Sequence, residues 1–87
     1  MKISFTKHAQ DKLAAFEGGK TKITATNIVS TLTEPDLVDA TSRVSQRIAQ
    51  KTLDQKHVLR VVYMIGVEKD AIKVITFYPG RKSQYEK

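Results

Sequence analysis

The sequence has no cysteine and no tryptophan, and only two prolines, four glycines and two histidines among its 87 residues. Without cysteine there can be neither a disulfide nor a thiolate metal site, and a reducing, cytoplasmic setting is the expectation. No window approaches the roughly 18 apolar residues of a membrane span. The opening MKISFTKHAQ lacks an apolar signal core, so no membrane association is expected. The acids form no spaced cluster suited to Mg²⁺ or Ca²⁺, and two histidines without cysteine do not supply the usual ligand set of a zinc site. There is no Gly-rich phosphate loop; Gly18-Gly19 reads as a helix end. No serine sits in a nucleophile elbow. Metal, nucleotide-cofactor and hydrolase-triad chemistry are all disfavoured, and neither metal nor cofactor is expected.

What is present is positive charge on a short chain. Compact domains seldom fall below about 50 residues, so residues 1–87 are read as a single domain. Fifteen Lys and Arg against nine Asp and Glu give a net charge of +6. The excess is placed unevenly. Glu34, Asp36 and Asp39 lie together with no basic neighbour between them. Arg43, Arg47, Lys51, Lys56 and Arg60 then face a lone Asp54, and Arg81, Lys82 and Lys87 face Glu86 at the end. The acidic 34–39 segment therefore separates a nearly neutral helical half from a basic sheet and tail. A solubility coat would account for scattered lysines. Clustering points instead to an anion, with nucleic acid the first choice and an acidic protein the second.

Periodicity gives the architecture. Ile3 and Phe5 alternate with polar residues as in a short strand, and Thr6 can cap a helix carrying Ala9, Leu13 and Phe16 on one stripe. A second helix starts near Thr24 and ends at Glu34-Pro35-Asp36, since the residue before proline resists the helical region. Period-two segments follow at Leu37-Val38, Arg47–Leu53, Val58–Ile65 and Ala71–Tyr78, with turns at 54–56 and 68–70. The segments at 58–65 and 71–78 are apolar on both faces and should be central, whereas 47–53 is more polar and should be an edge. Pro79-Gly80 should stop the last strand. The expected fold is α+β: a short N-terminal strand, two helices, then an antiparallel meander of three to four strands.

By elimination, chemistry would rest on His, Lys, Arg and Tyr. Metal-free cleavage of RNA by its own 2′-hydroxyl needs little else: a base, an acid and cations for the phosphate. His8 and Lys12, four residues apart, share a shoulder of the first helix. Arg60 points away from the apolar face of Leu59, Val61, Tyr63 and Ile65; the bland alternative is a strand arginine paired with a nearby carboxylate. Lys51 belongs to the basic segment, and Tyr78, Arg81, Lys82 and Tyr85 to a tail that is either a binding element or a frayed terminus. His57 reads as an exposed turn residue. With both helices on one sheet face, His8 and Arg60 lie on opposite sides and can meet only around the rim, beside the tail.

SFTKHAQDKL, RIAQKTLDQKHVLRVVY and VITFYPGRKSQYEK together resemble a small prokaryotic family grouped with the RelE/ParE-like and BrnT-like toxins. The resemblance spans nearly the whole chain in order. It implies the strand–helix–helix–sheet fold reached above, a metal-independent ribonuclease ancestry and a cognate antitoxin protein. Residue by residue it implies His8 as the proton-transfer group, with Arg60, Arg81 and Tyr85 completing the catalytic set. Lys12, Lys51, Tyr78 and Lys82 would contact nucleic acid. The segment GGKTKITATN is longer than in relatives, and Gln84 stands where a second base is common, which should lower phosphate affinity. The implied function is a toxin-type RNA-binding protein acting as a metal-independent mRNA endoribonuclease, with RNA, ribosome-bound mRNA included, as partner. The alternative is a non-catalytic nucleic-acid- or protein-binding module of the same fold, including a ParE-like inhibitor.

Overall fold

A computed structural model describes residues 2–19, 22–66 and 70–85. In chain order these form β1 (Lys2–Phe5), α1 (Lys7–Glu17), α2 (Ala25–Thr33), β2 (Leu37–Ala40), β3 (Gln46–Thr52), β4 (His57–Ile65), β5 (Ala71–Arg81) and α3 (Lys82–Tyr85). The class is α+β, as the sequence indicated. The expected turn at 68–70 lies largely outside the described residues. No helix among the described residues is long and apolar enough to cross a membrane.

Both long helices start where a threonine can cap them. The Thr6 hydroxyl accepts from the amide of Ala9 and donates to the carbonyl of Ile75, so one side chain caps α1 and ties it to β5. Thr24 and Asn27 form a reciprocal box at the start of α2, satisfying two amides that would otherwise be orphaned.

The sheet has five strands in the order β1-β5-β4-β3-β2. Three features correct the sequence reading. First, β1 pairs parallel to β5, so the sheet is mixed rather than a pure antiparallel meander. Second, β3 lies inside, between β4 and β2, and the edge is β2. Its polar residues are accommodated because Gln50, 1% exposed, is bonded to Arg60. Third, Pro79-Gly80 does not end β5, which continues to Arg81 in register with His57. Because β1 stops at Phe5, β5 is an edge at position 79, where a missing N–H costs no ladder bond.

A bulge sets the faces. Val62 pairs with Thr76 but Tyr63 with Val74, leaving Ile75 without an opposite number. Strict alternation would separate Val74 from Phe77, yet both reach the core, because the extra residue shifts the phase. Their neighbours there are Ala9 of α1, Ile28 and Leu32 of α2, and Leu59 and Val61 of β4. Ile65, expected on that face, is instead exposed beyond the cover of the helices. Thr76, beyond the end of β1 on the free margin of β5, lies within reach of His8 and Lys12 of α1.

Candidate functional site at the C-terminal end of the sheet

The β3–β4 turn is organised by one carboxylate. Asp54 Oδ1 accepts from the amides of Lys56 and His57, both at 2.8 Å, the local bonding that favours Asp at the head of a turn. The chain is thereby folded so that His57 Nδ1 lies 2.9 Å from Oδ1 and 3.1 Å from Oδ2 of the same residue. The amide of Lys56 first, and the imidazole next, hold the Asp54 carboxyl below the ordinary aspartate range. An ionised carboxylate accepts only, so Nδ1 carries the proton and Nε2 is the ring nitrogen available for proton transfer.

α3 closes against this turn. The Lys82 amide donates to the carbonyl of Lys56 at 2.9 Å, drawing the tail back onto the sheet. Gln55, Lys56, His57, Arg81 and Ser83 then line a cleft of about 520 Å³. Among the described residues no ion pair engages Lys56, Arg81 or Lys82.

Arg60 is close by and differently spent. It is 8% exposed on the sheet face away from α1 and α2. Its Nε donates to Tyr78 Oη at 3.1 Å, one terminal nitrogen to Gln50 Oε1, and the other to Asp39 Oδ2 at 3.1 Å. The Tyr85 ring covers the guanidinium, 4.5 Å from Cζ to centroid. Burial works against the charge, but the bonds to Tyr78 and Asp39 outweigh it and hold Arg60 above the ordinary arginine value. Tyr85 can lie there only because position 80 is glycine: a Cβ on Gly80 would fall inside the ring.

On the rim, His8 Nε2 and Lys12 Nζ each lie 3.3 Å from Thr76 Oγ1. Lys12 Nζ also sits 5.9 Å from the centroid of the Tyr78 ring, and partial burial lowers its pKa. A continuous path of contacts therefore runs His8–Thr76–Lys12–Tyr78–Arg60–Tyr85 around the free margin of β5. The sequence placed the meeting of the two faces at this rim. Arg81 and Lys82 lie instead with the β3–β4 turn, Arg81 in the cleft and Lys82 through its amide on Lys56. Lys51 joins neither: its Nζ donates to the Glu34 carbonyl at 2.8 Å, in register with core residue Leu59.

Two groups of residues escaped the sequence reading. The acidic 34–39 segment does not stand apart from the basic sheet; Asp39 neutralises Arg60 and Glu34 neighbours Lys51. The Asp54–His57 pair was missed, although Asp-x-x-His across a turn is a spacing that brings the fourth residue back over the first and could have signalled it. Among the described residues no cluster of His, Asp and Glu could hold a metal ion. Comparison with protein-family models, curated proteins and solved structures finds no match.

Proposed function

We infer that the chain is a toxin-type RNA-binding protein and a metal-independent mRNA endoribonuclease, working at the C-terminal end of the sheet. The observation that carries this reading is the cleft itself. Lys56 and Arg81 line it beside the His57 imidazole, Lys82 follows Arg81 in the chain, and none of the three has an acidic partner among the described residues; the Tyr85 ring lies over Arg60. Unpaired cations supply phosphate affinity, and a tyrosine at the margin supplies a surface for an unstacked base. The resemblance to RelE/ParE-like toxins supports the same reading and adds a cognate antitoxin as the protein partner that would cover this basic end.

The test is incubation of the protein with single-stranded RNA in EDTA, alone and with translating ribosomes. Cleavage is expected in at least one setting and should be lost in Arg81→Ala. If both proteins leave RNA intact in both settings, the nuclease reading fails. Binding has its own signature. Neutralising three phosphates of a single strand gives a slope of log K against log salt of about −2, and removing Arg81 should flatten it by about 0.7.

A second reading rests on Arg60. Each of its three nitrogens already donates inside the protein, and at 8% exposure under the Tyr85 ring the guanidinium is poorly placed to meet a phosphate. That favours a non-catalytic module that binds through the cleft alone. Salt-dependent binding without product selects it, and growth arrest with intact RNA and no RNA affinity selects a ParE-like inhibitor of a protein target.

A further inference from the structure

Resting on the ribonuclease reading, we propose that His57, oriented by Asp54, is the proton-transfer group of the reaction in place of His8. The two histidines differ in what holds them. His8 is exposed, and its Nε2 meets only the hydroxyl of Thr76, which can donate or accept and so fixes no tautomer. His57 is held through Nδ1 by both oxygens of a carboxylate that is itself fixed by two backbone amides. A base oriented by a third group is the recurring arrangement of proton-transfer sites. His57 also lines the cleft that carries Lys56, Arg81 and Ser83.

The substrate is an internal RNA phosphodiester. His57 Nε2 takes the proton of the 2′-hydroxyl as the 2′ oxygen bonds to phosphorus and the bond from phosphorus to the 5′ oxygen breaks. The leaving oxygen takes a proton from solvent, and the imidazolium returns its proton to solvent. The products are a 2′,3′-cyclic phosphate and a 5′-hydroxyl, with no water consumed and no redox change. Arg81 and Lys56 hold the non-bridging oxygens as charge builds on them. Asp54 is a positioning residue, acting only through His57.

The experiment measures cleavage of an RNA oligonucleotide in EDTA, under whichever ribosome condition supports turnover, against the same strand carrying 2′-deoxyribose. His57→Ala should lose about 100-fold or more in kcat, the usual share of one acid–base group. Added imidazole should restore part of that loss, which a folding defect would not allow. Asp54→Asn keeps an acceptor for the turn amides and should lower kcat with KM unchanged. His8→Ala should lose far less in kcat than His57→Ala, and added imidazole should not restore it. If wild type cleaves and His57→Ala cleaves equally well, or if His8→Ala alone is rescued by imidazole, the assignment to His57 is wrong while the nuclease reading stands. Cleavage of the deoxy strand would overturn the 2′-hydroxyl step. An inert wild type overturns the nuclease reading and this assignment with it.

Discussion

Arg60 and Arg81 lie on adjacent strands three register positions apart, yet one is closed and the other open. Arg60 donates to Asp39, Gln50 and Tyr78 and lies buried under the Tyr85 ring. Arg81 is exposed at the mouth of a cleft, with no ion pair among the described residues. The difference teaches that a basic residue in a basic segment is a phosphate ligand only if the fold leaves its donors free. In Arg60 the cation organises the site; in Arg81 it is available to a ligand.

The sharpest way to break this contrast is to truncate both. Arg60→Met keeps much of the volume but strands Gln50, which is 1% exposed, together with the Tyr78 hydroxyl and the Asp39 carboxylate. Leaving a buried polar group unpaired costs about 1–3 kcal/mol, so a loss of about 3 kcal/mol is expected in urea unfolding. Arg81→Ala should stay within about 0.5 kcal/mol of wild type, as exposed substitutions do, while weakening RNA binding. Equal stability losses in the two variants would mean that Arg60 is no more structural than Arg81.

A smaller effect tests the cover over Arg60. Gly80→Ala places a methyl group where the Tyr85 ring lies. Overpacking in a rigid core costs about 1–3 kcal/mol, but a terminal helix as short as Lys82–Tyr85 can lift away, so about 1 kcal/mol is expected. Hydrogen exchange at the Lys82 amide, now bonded to Lys56, should speed up. An unchanged exchange rate and an unchanged unfolding midpoint would show that Tyr85 does not close the Arg60 side.

The contrast also marks where the sequence was readable. Local signals gave the helices: Thr6, Thr24 and the Glu34-Pro35 break stand where the caps and ends are found. Period-two alternation located the strands but not their order. Nothing local shows that β1 joins β5, because that pairing is made between the two ends of the chain. Alternation also failed at Ile75, where a bulge breaks the period of two that the method assumes. Among site residues, the tail was legible because Pro-Gly, two cations and a tyrosine stand together. Arg60 was legible as a strand cation facing away from the apolar face, with pairing to a carboxylate as the alternative, but its partners were not, since Asp39 and Gln50 are 21 and 10 residues away in sequence. His57 was passed over because its partner is a turn residue, and turn carboxylates are ordinarily read as capping the backbone alone.

The smallest effect concerns Asp54, which holds the turn and His57 beside the cleft. Asp54 has its folded pKa depressed below the ordinary value of 3.8, first by the Lys56 amide and then by His57. A depressed carboxylate contributes stability that is complete above its unfolded pKa and is lost as pH falls through the folded one. The contribution of Asp54 should therefore be present at neutral pH and fade only below about pH 4, where the carboxyl of the unfolded chain itself begins to protonate. Asp54→Asn should remove that part of the acid dependence, leaving a flatter stability curve below pH 4 and little change near pH 7. Because Asp54 is exposed, the change is modest and shrinks further in high salt. A variant whose stability falls with acid as steeply as wild type would show that the carboxylate does not hold the turn, and with it the imidazole, in the way the geometry requires.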